Sequence, residues 1–205
     1  MELACGGDLQ KKLFAVVSKY FFIQMVSAIK YCHARSPPIA PRGLNPANVL
    51  LTDSSDFAGV KTQITDFALP KHMSCPSSLT TFCKTELFIA PEVRHQLDDE
   101  GADPYTPAVD VCSLGVVLHY MLFGRQPACA RANHTGLSTS TELSGSSNAH
   151  GKTVSEPARY LIDGMLTSDV GQHHSVEEIT GCQWLCDEVT LAQLRKTIFK
   201  DTPIF

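Results

Sequence analysis

A mainly helical domain with short β-hairpins is the fold class that the sequence predicts, and three observations lead to it. Apolar side chains recur at three- and four-residue steps over residues 19–33, as on one face of a helix. Residues 109–123 form a long and nearly unbroken apolar stretch. Two short apolar runs, residues 48–51 and 62–65, are separated by turn-forming residues, which suits a hairpin. A length of 205 residues allows one such domain.

The first helix has a clear buried face and a clear end. Pro37 and Pro38 end it, because proline cannot continue a helix. The hairpin that follows has a generous polar loop, and a polar residue, Asn48 or Asp66, stands close to an end of each run. The buried face of the helix is expected to consist of Phe22, Met25, Val26, Ile29 and Cys32.

The second half of the chain alternates irregular and helical segments. Residues 69–92 lack a clear period and are expected to form a functional loop. The helix of residues 109–122 is apolar on nearly every side, so it should lie at the centre of the core, with Pro107 in its first turn. Residues 128–153 are rich in Ser, Thr and Gly, so we expect a mobile insert. Ser155 should cap the next helix, and a last helical region should cover residues 176–199.

Composition and charge exclude several classes of partner. The formal net charge of −4 argues against nucleic acid, whose recognition normally requires a basic surface. No apolar stretch reaches the ~20 residues that span a bilayer, so no membrane partner is expected. Eight cysteines without a secretory leader indicate a reduced, intracellular protein, either cytoplasmic or nuclear. Cys182 and Cys186 lack a second ligand pair, and no metal site is predicted.

Several motifs stand in the order and spacing of the protein-kinase signature set. Asp66-Phe67-Ala68 is similar to the magnesium-binding triplet, and residues 81–92 to the end of an activation segment. The other matching segments are residues 1–9 (hinge), 39–48 (catalytic loop), 109–115 (central helix), and 165–169 with 184–185 (final helices). Together they resemble the large, C-terminal lobe of a serine/threonine protein kinase whose N-terminal lobe is absent. Within the kinases the chain resembles the calmodulin-kinase-related group, nearest to DNA-damage checkpoint kinases. The resemblance implies a partial kinase domain over residues 1–205, with the insert at 128–153.

The resemblance also implies that groups required for phosphoryl transfer are missing. Gly43 occupies the position of the catalytic base, and Asn45 that of the lysine that follows it. The magnesium-ligand positions persist as Asn48 and Asp66. The alternative, which we favour, is that both are residual polar residues at strand ends, since no small lobe completes a nucleotide pocket. We therefore predict no catalytic residue and no enzyme activity. No cofactor is predicted, and ATP and Mg²⁺ are only the ancestral ligands.

Structural positions of the family survive better than catalytic ones. Asp110 lies in an apolar helix and is expected to accept backbone N–H bonds from the catalytic loop. Glu92 normally pairs with a buried arginine, whose position here is His173, so the pair would be charged only when the imidazole is protonated. Phe67 of the triplet is expected to be structural. Arg42 would grip a phosphorylated threonine, although a plain loop arginine is the interpretation that we favour. The threonines of such a switch would be Thr81 and Thr85.

Three functions remain open at this point. The leading hypothesis is a catalytically inactive, truncated kinase-like protein, a pseudokinase fragment without a stable role. The second is a pseudokinase interaction module that binds a protein partner on the large-lobe surface. The third is an active ATP-dependent serine/threonine kinase, which requires a small lobe upstream of Met1 and an unusual group in place of Gly43.

Overall fold

The computed structural model describes residues 5–9, 18–36, 39, 41, 44–52, 59–65, 107–127, 154–167, 169–200 and 203–205. The predicted class is confirmed, because helices dominate these residues and one small hairpin accompanies them. Two 3-10 turns, Pro46–Asn48 and Val170–Gln172, and a π-helical turn, Arg195–Phe199, connect the longer elements. In chain order the longer elements are α1 (Ser18–His33), β1 (Val49–Leu51), β2 (Thr62–Ile64), α2 (Pro107–Phe123), α3 (Glu156–Leu166), α4 (Val176–Gly181) and α5 (Glu188–Leu194).

Helix α2 is the centre of the core, as its composition predicts. Every residue from Val109 to Phe123 is buried except Tyr120. Gly115 allows α3 to approach closely, because a Cβ atom there would stand 2.8 Å from a methyl carbon of Leu166. Within the described ranges, no helix combines the length and apolar character needed to cross a bilayer.

Helix α1 packs beside α2 and carries the hairpin. All five side chains of its predicted face are buried, and Phe21 and Ile23 are buried as well, so the apolar surface is wider than a single stripe. Gln24 is a buried polar residue of α1, and its side chain bonds to the backbone at the start of β2. Its Oε1 accepts the backbone N–H of Thr62 at 2.9 Å, and its Nε2 donates to the carbonyl of Val60 at 3.2 Å. These bonds fix the start of β2 against α1.

The hairpin is antiparallel and short. Val49 faces Ile64, and Leu51 faces Thr62. The segment of residues 5–9 runs along the other edge of β1. There the Gly6 N–H donates to the Leu51 carbonyl at 2.8 Å, and the Leu51 N–H donates to the Gly7 carbonyl at 2.9 Å. Strand β1 therefore has a partner on each side, with β2 along one edge and the hinge-like segment along the other.

Two details of the predicted helices are wrong. The last helical region is not continuous, because Cys182 adopts an extended conformation (φ −65°, ψ 136°) and separates α4 from α5. Apolar spacing alone cannot distinguish one long helix from two short ones that bury the same side chains. Ser155 does precede α3, but its side chain makes no capping hydrogen bond. The predicted loop at 69–92 and the insert at 128–153 lie outside the described residues.

Candidate functional site

The catalytic-loop-like segment contains a short turn that begins at Asn45. Asn45 has an extended backbone (φ −150°, ψ 162°), and its Oδ1 accepts the N–H of Ala47 at 2.9 Å and that of Asn48 at 3.2 Å. Pro46 occupies the first position of the turn, where no N–H is required. Asn45 is buried, with 6 % of its surface exposed. The residue at the family's lysine position is therefore an N-cap.

Asn48 ends this turn and leads into β1, where Thr65 holds it. The Asn48 carbonyl accepts the Thr65 N–H at 2.9 Å and the Thr65 hydroxyl at 3.1 Å. Thr65 directly precedes Asp66 in the sequence. Two bonds thus tie Asn48 to the neighbour of Asp66, at the end of the hairpin where the turn begins.

The hinge-like segment completes this part of the molecule. Gly7 has a positive φ of 76°, a conformation that glycine adopts without strain. This conformation lets the chain turn while Gly6 and Gly7 both bond to Leu51. Asp8 then forms an isolated antiparallel bridge with Leu50. The hinge-like segment (residues 5–9), the turn (Pro46–Asn48) and the hairpin of β1 and β2 therefore lie side by side, and we call them the platform.

Asp110 has a side-chain partner that the sequence did not reveal. Its carboxylate is 1 % exposed, and its Oδ2 accepts a hydrogen bond from Nε2 of His33 at 2.8 Å. His33 is the last residue of α1, so this bond links α1 to the first turn of α2. Burial raises the pKa of the neighbouring Cys32 thiol, and the Asp110 carboxylate raises it further. The predicted backbone partners of Asp110 stay a prediction.

His173 lies in a separate cavity of about 430 Å³ between α1, α2 and α4. His33, Lys30, His174 and Glu177 also line it. Nε2 of His173 donates to the carbonyl of Thr167 at 2.7 Å, whereas its Nδ1 is buried without a hydrogen-bond partner among the described residues. With Nε2 already donating, His173 offers a carboxylate a second N–H only as an imidazolium. The predicted pair of His173 with Glu92, whose position is not described, stays a prediction.

Seven predicted positions lie outside the described residues, and the roles assigned to them stay predictions. Among the described positions, Asn45 and Asn48 share the turn, while Asp110 and His173 both lie near His33. The positions outside the described residues are Arg42, Gly43, Asp66, Phe67, Thr81, Thr85 and Glu92.

Three contacts were not predicted from the sequence: the capping bonds of Asn45, the bonds of Thr65 to Asn48 and the bond of His33 to Asp110. The Asn45 cap carries a local signal, since an asparagine followed by proline is typical of a helical start. Thr65 and His33 carry no such signal. Their partners are 17 and 77 residues away in the chain, so only the fold brings them into contact.

Asn48 of this turn and Asp66, whose position is not described, are the residues that would hold a magnesium ion. Amide and carboxylate oxygens, as at Asn48 and Asp66, are the hard donors that Mg²⁺ requires. The bonds from Thr65 to Asn48 fix one donor residue and the neighbour of the other. Elsewhere, the described ranges contain no group of three His, Cys, Asp or Glu side chains that could hold a metal ion.

The fold and this platform are those of the large lobe of a protein kinase domain. The chain belongs to the protein kinase family, because the family model for the protein kinase domain matches residues 1–185. The ovarian-specific serine/threonine-protein kinase Lok of Drosophila melanogaster is 34 % identical over 211 residues, which cover 98 % of this chain and 42 % of Lok. The rat SNF-related serine/threonine-protein kinase is 33 % identical over 192 residues, or 90 % of this chain and 24 % of that protein. The chain thus spans less than half the length of these relatives.

A solved structure supports the same assignment. The chain is similar to the crystal structure of the Rad53 kinase domain and SCD2 in complex with AMPPNP. The TM-score is 0.61 and the identity 25 %, with 91 % of this chain and 68 % of that chain covered. The predicted resemblance to serine/threonine kinases, and to checkpoint kinases among them, is confirmed.

The prediction that the protein is not an enzyme is wrong. Between 87 % and 98 % of the chain aligns with relatives that are named as protein kinases, and the family match points to an enzyme. The prediction had rested on Gly43, on Asn45 and on the expected absence of a small lobe.

Proposed function

We propose that the chain is the large lobe of a serine/threonine protein kinase that transfers the γ-phosphoryl group of ATP to a protein hydroxyl. The observation that carries the proposal is the fixed turn at Asn48. Its backbone is bonded on one side to Asn45 and on the other to Thr65, beside Asp66. The bonds therefore hold Asn48 next to the residue that precedes Asp66 in the sequence.

Gly43 lowers the proposed rate without removing the reaction. Kinase phosphoryl transfer depends mainly on positioning and on neutralisation of phosphate charge. A general base contributes about 10²–10⁴-fold, whereas enzymes accelerate their reactions by about 10⁶–10¹⁷-fold. The loss of the carboxylate at position 43 therefore leaves most of the catalytic effect to the remaining groups.

Asn48 and Asp66 would hold Mg²⁺, which in kinases bridges the β- and γ-phosphates and neutralises the charge that develops there. The phosphates also need a covering loop. Residues 1–205 contain no two glycines spaced as in the start of the G-x-G-x-x-G loop. We propose that this loop and the phosphate-gripping lysine belong to a small lobe outside these residues.

A second candidate is a protein-binding role of the large-lobe surface. Tyr31 is 61 % exposed and Ile39 is 45 % exposed, and the Ile39 N–H bonds to the carbonyl of Cys32, next to Tyr31. The guanidinium of Arg35 stacks 4.1 Å from the centre of the Tyr31 ring. Exposed aromatic and arginine side chains of this kind are enriched in protein interfaces. This role needs neither ATP nor Asp66, which separates it from the first.

The test is phosphoryl transfer from radiolabelled ATP to a serine/threonine peptide. The chain is joined behind the small lobe of a related serine/threonine kinase, and magnesium is present. We expect incorporation that is lost in Asp66→Ala and retained in Glu156→Gln, which removes an exposed carboxylate at the start of α3. Incorporation that is absent, or that survives Asp66→Ala, would contradict the proposal.

A further inference from the structure

We propose that Asn45 is a positioning residue that orders Asn48 for metal binding, in place of the charge that a lysine would supply at this position. The inference rests on the proposed kinase function, since it concerns the metal-ligand position of the same site. It assigns Asn45 a role in holding another residue, with no contact to the substrate.

The backbone of Asn48 is held at both of its polar groups. Its N–H is shared between the Asn45 carbonyl at 3.0 Å and the Asn45 Oδ1 at 3.2 Å. Its carbonyl accepts two bonds from Thr65. Because the N–H and the carbonyl of Asn48 are both hydrogen-bonded, its half-buried side chain starts from a defined backbone position. A ligand held in this way loses less conformational freedom when a metal binds.

A lysine at position 45 could not make the same turn. The ammonium group has three donors and no acceptor, so it cannot receive the Ala47 N–H. Asn45 is also buried, and a charged group would have to leave that environment for solvent or a phosphate. Position 45 can therefore supply a cap or a positive charge, but not both.

Three variants of the chain separate the cap from other properties of the side chain. Asn45→Ser keeps an N-cap with a smaller side chain. Asn45→Gln keeps the amide but is too long for the capping geometry, and Asn45→Lys installs the residue of the family motif. The direct readout is hydrogen exchange at the Ala47 amide, whose bond in the structure is to Asn45 Oδ1. We expect exchange to be faster by roughly 2- to 30-fold in the Gln and Lys variants and near wild type in Asn45→Ser. Unchanged amides of α2 confirm that each variant is folded.

The second readout is paramagnetic broadening of the Asn48 side-chain amide by Mn²⁺ together with a non-hydrolysable ATP analogue, measured with each variant joined behind the small lobe of a related serine/threonine kinase. We expect broadening in the wild type and in Asn45→Ser, and at least twofold weaker broadening in the Gln and Lys variants. Faster Ala47 exchange with unchanged broadening would overturn the positioning role. Unchanged Ala47 exchange in Asn45→Lys would overturn the cap itself. Wild-type protein without broadening at Asn48 would remove the metal site and this inference with it. Absent peptide phosphorylation alongside normal broadening would count against the proposed function alone.

Discussion

The buried carboxylate of Asp110 depends on a residue from another helix. His33 donates to it at 2.8 Å, and its side chain is 14 % exposed, so water competes weakly for this bond. A charged acceptor with its donor removed inside a protein keeps much of its desolvation penalty. The end of α1 and the start of α2 are therefore joined by a polar contact.

We expect His33→Ala to lower the free energy of unfolding by about 1.5–3 kcal/mol, the usual range for a hydrogen bond to a charged group. His33→Gln should lose distinctly less, because its amide N–H can still donate to Asp110. Urea denaturation of the chain and of both variants measures the difference. Equal losses in the two variants would show that the imidazole contributes packing and not a hydrogen bond.

At the scale of an element, α4 is short and its start is strongly specified. Ser175 Oγ accepts the Glu178 N–H, while the Glu178 carboxylate accepts the Ser175 N–H at 2.7 Å and the Ser175 hydroxyl at 2.9 Å. This is a capping box, in which two donors at the helix end are satisfied reciprocally. The bonds from the backbone and then the hydroxyl of Ser175 lower the pKa of Glu178.

This lowered pKa predicts a pH-dependent contribution of Glu178 to stability. The ionised carboxylate is favoured in the folded state, so its contribution is complete above the ordinary glutamate pKa of about 4.3 and is lost as the pH falls through the folded value. The stability difference between wild type and Glu178→Gln should therefore shrink from pH 6 toward about pH 3. Chemical denaturation at several pH values measures it. The control is Glu177→Gln, an acidic neighbour outside the box. A parallel pH trend in this control would refute the assignment.

The helices differ in how far the sequence could specify them. α1 was predictable because its apolar residues repeat at helical spacing, and α2 because its nearly unbroken apolar stretch extends over about four turns. The division between α4 and α5 was not, since it depends on the backbone of Cys182. At the site, the order of the motifs located the turn. The family motif identified position 45 as that of a lysine, but it did not predict that Asn45 caps the turn. The His33 contact required the packing of α1 on α2, which local patterns do not contain.

At the scale of the whole molecule, α1 joins elements from both ends of the chain. The Tyr20 hydroxyl accepts the Gly59 N–H at 3.2 Å and bonds to the Thr197 hydroxyl at 3.1 Å. Lys19 pairs with Asp187 at 3.5 Å and lies 5.5 Å from the Trp184 ring centre. Residues beyond 185, where the family match ends, therefore pack on the same helix as the hairpin. The described residues of the large lobe therefore make the internal contacts of a folded unit.

The proposed reaction requires a small lobe that holds the nucleotide phosphates and a base at position 43. These two requirements predict that Gly43→Asp has different effects with and without a small lobe. In the 205-residue chain, Gly43→Asp should give no measurable transfer to a serine/threonine peptide. Behind a grafted small lobe, the same substitution should raise the rate by about 10²–10⁴-fold over the grafted Gly43 chain. A base acts only on a hydroxyl held in line with the γ-phosphate, and such positioning accounts for about 7–11 kcal/mol of barrier reduction. Initial rates with radiolabelled ATP compare the four proteins, with Asp66→Ala as the blank for each. If Gly43→Asp activates the chain without the graft, the platform of hinge-like segment, turn and hairpin holds the nucleotide by itself. If it fails to activate the grafted protein, the base is not what limits the reaction.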